Sequence, residues 1–185
     1  MSVVVVVDVQ QHFVREASAH VVPVIVDLVA RWQAAGGDVV FTRYINYPGS
    51  PFERLVGWSE CMTSPQIDIV DELQPYTAHA YVLDKKGYGL FADPASAALV
   101  AEQGWQDIYV CGIATESCVL ATALGGFEAD LTPWLIEDAS ASHAGQQVHE
   151  AGILVTQRFI GQRQIIKVAD IPADLTTPAH ERCGA

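Results

Sequence analysis

Five consecutive valines, Val3 to Val7, constrain this chain more than any other feature. A β-branched residue at every position disfavours helix, and the segment offers no polar side for solvent. It therefore reads as a strand covered on both faces, as in a parallel sheet sandwiched by helices. The run leads into Asp8-Val9-Gln10-Gln11-His12-Phe13. An acid at the carboxyl end of such a strand stands where open α/β sheets bind ligands.

The rest of the chain repeats the same alternation. Val21 to Ala35 is apolar at helical spacing and closes at Gly36-Gly37, and residues 38–42 form a second buried strand, completing one βαβ unit. Residues 43–65 hold Pro48, Gly49, Pro51 and Pro65 among Tyr44, Tyr47, Phe52 and Trp58, a long excursion of the kind that serves function in compact domains. A short helix is expected near Ile67 to Leu73, then a third strand at 80–84. Asp93-Pro94 supplies a capping acid and a first-turn proline for a helix ending at Gly104. A fourth strand at 107–112, a helix from about Cys118, a fifth strand at 131–136, a helix over 143–159 and a sixth strand at 164–168 follow. The expected fold is a three-layer α/β/α domain over residues 1–171 with a mostly parallel six-stranded sheet, and residues 172–185 form a tail.

Three chemically distinct groups fall at the carboxyl edge of that sheet. Asp8 follows the first strand and Lys85 the third. Cys118 follows the fourth, in the first turn of a helix, where unpaired backbone amides favour a thiolate. Each has a plain alternative, as a turn cap, a solvated lysine or a space-filling cysteine. Their convergence gives an acid that can take the thiol proton and a cation that can hold that acid ionised. His12 lies beside Asp8 as a loop or pocket-lining residue. No two of the six histidines stand four apart, and Cys111 with Cys118 lacks a third ligand, so neither metal nor cofactor is expected.

Composition narrows the partner. A formal net charge of -12, with only ten basic residues scattered singly, offers no patch for nucleic acid or an anionic membrane surface, which leaves a small molecule. The four cysteines, Cys61, Cys111, Cys118 and Cys183, form neither a CxxC pair nor a disulfide framework, so a reducing, cytoplasmic setting fits. No run approaches transmembrane length, and Val3 to Val7 is too short for a signal core.

Asp8-Val9-Gln10 with Phe13, Lys85 to Phe91, and Gly112-Ile113-Ala114-Thr115-Glu116-Ser117-Cys118 with Thr122-Ala123 together resemble the isochorismatase-like cysteine hydrolases, a family that includes nicotinamidases and related amidases. The resemblance implies a triad of Asp8, Lys85 and Cys118, a cis peptide between Ile113 and Ala114, and an oxyanion hole made by the amides of Ala114 and Cys118. It places the functional lysine three residues before Tyr88, making Lys86 a surface residue. Gly89-Leu90 stands in place of the family's common Ser-Ala, a change in the pocket edge near Tyr88 and Phe91. The histidines that hold a metal in some nicotinamidases are missing after the second strand. Phe13, Arg43, Tyr44, Asn46, Trp58 and Tyr88 are instead candidates for the substrate pocket, and a homo-oligomer, at least a dimer, is expected.

The function this supports is cleavage of a C–N bond in a small amide through a thioester on Cys118. A vinyl ether hydrolase of the isochorismatase type, in which the aspartate acts as an acid without a thiol nucleophile, is an alternative. A binding module of the same fold without catalysis is another, since fold alone does not prove chemistry.

Overall fold

The computed structural model describes residues 1–172, so the tail expected beyond 171, and Cys183 in it, lie outside the described residues. Six strands, β1 Ser2–Val7, β2 Asp38–Tyr44, β3 Tyr81–Lys85, β4 Asp107–Ile113, β5 Thr132–Ala141 and β6 Ile165–Ile166, form one sheet in the order β3-β2-β1-β4-β5-β6. Every pairing is parallel, which matches the expected class. The chain starts at β1, builds outward to β3, then returns to β4 on the other side of β1. That reversal opens a crevice at the carboxyl ends of β1 and β4.

The valine run divides its side chains between the two faces, as strand alternation requires. Val4 and Val6 pack with Ile25, Leu28, Val29 and Trp32 of α1 (Val22–Ala34), whereas Val3, Val5 and Val7 pack in the opposite layer. That layer draws Val100 from α2 (Pro94–Gln103), Ala123 from α3 (Leu120–Glu128), and Ile153 and Ile160 from α4 (Gln146–Ile160). The Asp93 cap forms as the sequence suggests, its Oδ1 accepting from the amides of Ala95 at 2.8 Å and Ser96 at 3.2 Å.

Three expected elements differ. No helix forms over Ile67 to Leu73. The Val70 amide donates to Val9 O at 3.1 Å, the Gln11 amide donates to Asp68 O at 2.8 Å, and Gln10 makes an antiparallel bridge with Ile69. These long-range bonds take backbone groups that a helix would need, and only after them does a 3₁₀ segment, Gln74–His79, begin. The fifth strand runs on to Ala141 instead of stopping at 136: its register against β4 slips between Leu135 and Ser140, so Glu137 and Asp138 fall in an irregular stretch that hides the continuation. The sixth strand shrinks to Ile165–Ile166 because 3₁₀ turns occupy Gln162–Gln164 and Val168–Asp170.

One backbone contact fixes how β4 leaves the sheet. Gly112 has φ +119°, and a Cβ there would lie 2.2 Å from Val7 O. Gly36 has φ +77° with open space around it. Gly112→Ala is therefore expected to lower the unfolding free energy by about 3 kcal/mol or more. Gly36→Ala should cost only about 1 kcal/mol, the left-handed penalty alone. Urea denaturation midpoints of the two variants check this contrast.

Candidate active site

The ends of β1, β3 and β4 bring three groups together. Asp8 leaves β1 with φ +50°, a left-handed conformation uncommon outside glycine but one that aspartate and asparagine adopt more readily than other residues. It is held there from β2. The Asp8 amide donates to Thr42 O and Thr42 Oγ1, both at 3.2 Å, and the Thr42 hydroxyl donates to Asp8 Oδ1 at 2.7 Å. The other oxygen, Oδ2, lies 2.7 Å from Lys85 Nζ, and both side chains are essentially excluded from solvent. Lys85 also donates to Gly87 O at 2.9 Å and sits 5.5 Å above the Tyr44 ring. Its neighbour Lys86 is exposed, its ammonium over the Tyr47 ring at 5.3 Å.

Cys118 lies in a wide helical turn, Thr115–Val119, that precedes α3. The peptide between Ile113 and Ala114 is cis, and the amides of Ser117 and Val119 both reach back to Ala114 O at 3.1 Å. Asp8 and Lys85 both act on the Cys118 thiol electrostatically. Burial pushes the Cys118 thiol well above the usual range and the Asp8 charge adds to this, while Lys85 offsets only part. For Lys85, burial has the largest single effect and would lower the ammonium, but Asp8 and Cys118 together outweigh it and the net direction is upward. The resting site is thus a neutral thiol beside an ion pair. This departs from the thiolate expected of a first-turn cysteine, because desolvation exceeds the pull of one lysine and a helix start.

Of the trio, Cys118 lines a cavity of about 410 Å³, and Asp8 and Lys85 are buried without lining it. Phe13, Tyr44, Phe52, Trp58 and Tyr88 supply its aromatic wall, with neighbouring rings such as Tyr44 and Phe52 4.9 Å apart and Phe52 and Tyr88 5.0 Å apart. His12, Arg15, His143 and Glu116 add polar groups, and burial lowers both histidines below the ordinary imidazole value.

Two expected pocket residues do not line this cavity. Arg43 turns to Asp84 and donates to both of its oxygens, at 2.7 and 2.9 Å. The cause is strand alternation: β2 runs to Tyr44, so Thr42 and Tyr44 face the site while Arg43 faces away. Asn46 is buried beneath the excursion. Its Nδ2 donates to Trp58 O at 3.2 Å and Glu60 O at 3.1 Å, while its Oδ1 accepts from Tyr44 Oη at 3.0 Å. It holds the wall in place without reaching the cavity. Gln10 has a similar role that its motif position alone did not reveal. Its Nε2 donates to Tyr44 O at 3.0 Å and Ile67 O at 2.8 Å, and its Oε1 accepts from the Tyr44 amide at 2.8 Å. Phe52, Val56, Arg15, Ser117 and His143 join the lining without having been singled out for it. Among these, only Phe52 carried a hint, as an aromatic in the excursion.

No group of three or more His, Cys, Asp or Glu among the described residues is arranged to hold a metal ion. Nor is any described helix long and apolar enough to cross a membrane.

Known proteins carry the same architecture. An N-carbamoylsarcosine amidase from Thermoplasma acidophilum superposes with a TM-score of 0.80 at 21% identity, covering 92% of this chain and 98% of that one. An isochorismatase family protein from Desulfovibrio vulgaris superposes with a TM-score of 0.78 at 23% identity, covering 91% and 94%. In sequence, a ureidoacrylate amidohydrolase RutB of Azorhizobium caulinodans is 30% identical over 93 residues, 50% of this chain, and the chain spans only 40% of that relative's length. The family model described as Isochorismatase domain matches residues 2–163, nearly all of the described chain, and the chain belongs to that family.

Proposed function

We propose that this protein is a cysteine hydrolase that cleaves a C–N bond of a small, non-peptide amide. The observation that carries this reading is the Cys118 thiol lining a 410 Å³ aromatic cavity and under the influence of an Asp8 carboxylate that lies 2.7 Å from Lys85. The amidohydrolase and amidase names of the relatives lend the reaction class further support.

The residues divide the work as follows. Asp8 takes the thiol proton as Sγ attacks the amide carbon, so the thiolate forms only with the attack and no free thiolate need be stored. The charge on the carbonyl oxygen is met by the backbone amides of Ala114 and Cys118. Asp8 then delivers the proton to the departing amine, leaving an acyl thioester on Cys118. Water attacks that thioester, giving a proton to Asp8; the C–S bond then breaks, the carboxylic acid leaves, and Asp8 returns the proton to Sγ. Lys85 stays paired with Asp8 through these transfers, and the aromatic wall orients a flat or apolar substituent over the nucleophile. No step calls for a metal. We also propose that the chain self-associates, because Tyr47, Leu55, Val56 and Tyr88 remain exposed around the cavity mouth.

Intact-protein mass spectrometry after exposure to a panel of small amides tests the chemistry. An acyl adduct that disappears in Cys118→Ala, with turnover insensitive to chelators, is expected. Turnover that survives in Cys118→Ala without any adduct would instead favour the vinyl ether reaction. Alkylation of Cys118 by iodoacetamide should keep rising with pH beyond the range of an ordinary thiol, since burial holds the thiol protonated. Lys85→Ala should slow that alkylation and abolish turnover, whereas Lys86→Ala should stay within about two-fold of the parent, as expected for a solvated charge. Light scattering at micromolar concentration should report at least a dimer; a monomer ends that part of the proposal.

A further inference from the structure

The turn that carries the nucleophile is held from behind by contacts that the proposed reaction does not use. Thr115, buried and three residues before Cys118, shares a hydrogen bond of 2.8 Å between its hydroxyl and Nδ1 of His149 on α4. Beside it, Glu116 Oε1 accepts from the Ser142 hydroxyl at 2.9 Å in the loop before α4. Gly152, close along the same helix, lets α4 approach the turn: a Cβ there would lie 2.7 Å from the Glu116 amide nitrogen. Thr115 and Glu116 sit between Ala114 and Cys118, the two residues whose amides are assigned to the oxyanion. Any drift of Thr115 therefore moves the amides and the sulfur together.

We propose that His149 is a positioning residue for the catalytic turn, fixing the reach of Cys118 Sγ towards Asp8 through the Thr115 hydroxyl. The proposal rests on the thiol chemistry assigned above to Cys118. His149 also lines a second, polar cavity of about 460 Å³, so the ring stands between that cavity and the turn. The groups facing this cavity and ring are Glu137 and Asp138 of β5, Glu150 of α4, His20 ahead of α1, Lys167 after β6, and Glu116 in the turn. Burial has the largest effect and lowers His149 below the ordinary imidazole value. Glu137, Glu150 and Glu116 pull it upward and His20 opposes them. At neutral pH the ring is thus uncharged, and the assigned arrangement has Nδ1 accepting from the Thr115 hydroxyl with the proton on Nε2. Protonation at lower pH turns Nδ1 into a donor, so the hydroxyl must reverse and the strut is reset. An asparagine at 149 presents an amide group near the position of Nδ1 and does not titrate.

The test is the rate of Cys118 alkylation by iodoacetamide against pH, located by peptide mapping, in the parent, His149→Leu, His149→Asn, Thr115→Val and the double variant His149→Leu/Thr115→Val. Thermal melts identify any variant that fails to fold; should His149→Leu be one, His149→Asn and Thr115→Val carry the test. At pH 8, His149→Leu and Thr115→Val are each expected to change the rate by about five-fold, the scale of one buried hydrogen bond, and the double variant should match either single one. His149→Asn should lie within about two-fold of the parent at that pH and lack the parent's inflection below neutrality. Unchanged rates in His149→Leu and Thr115→Val, additive losses in the double variant, or an inflection that persists in His149→Asn would each overturn the proposal. The amide panel fails separately: a parent that alkylates as described and forms no acyl adduct removes the hydrolase reading and leaves the strut standing.

Discussion

A single buried ion pair, Asp8 with Lys85, sets the terms for everything around it. Two charges excluded from water at 2.7 Å are costly unless their remaining valences are met. The fold meets them with Thr42 on one carboxylate oxygen and Gly87 O on the ammonium. Those partners come from β2 and from the loop after β3, so the pair can form only when β1, β2 and β3 lie side by side in register. Asp8 accepts a left-handed backbone angle in this setting, which fits a residue held by its surroundings more than by its own preference. Removing one member would strand the other charge in a dry site, a larger disturbance than loss of the contact itself.

The same pair decides the state of the sulfur. An anion and a cation side by side partly cancel, so the thiol feels mainly its desolvation and the carboxylate, whose effect exceeds that of the lysine. A site built this way keeps its thiol protonated. The neutral thiol and the buried ion pair are two views of one electrostatic balance.

Much of this was legible in the chain before any coordinates. The valine run, the capped start at Asp93 and the glycine stops at 36 and 104 are local signals with local causes, and the helices and strands they mark form. That Asp8, Lys85 and Cys118 lie at one edge follows from their places at or shortly after the ends of β1, β3 and β4, since strand ends in such sheets share an edge. What escaped was decided by distant partners. The stretch from Ile67 to Leu73 has apolar residues at a spacing that suits a helix, but the Val70 amide and the Asp68 carbonyl are taken by Val9 and Gln11, some sixty residues away in sequence. Arg43 looked like a pocket residue because the end of β2 was set two residues early; the longer strand turns it to Asp84. Gln10, Asn46 and His149 each act through hydrogen bonds to residues remote in sequence, and nothing in their immediate neighbours announces that.

The aromatic excursion has a different consequence. Tyr44, at the end of β2, starts the wall, Phe52 and Trp58 hang from a loop whose course is pinned by Asn46, and Tyr88 and Phe13 come from two other loops. None of these rings supplies a ligand to the ion pair by hydrogen bond. Recognition and reactivity are therefore stored in separable parts of one chain. Descent can rewrite the loop between Asn46 and Cys61, ring by ring, and reshape the cavity while the buried ion pair beneath it stays unaltered.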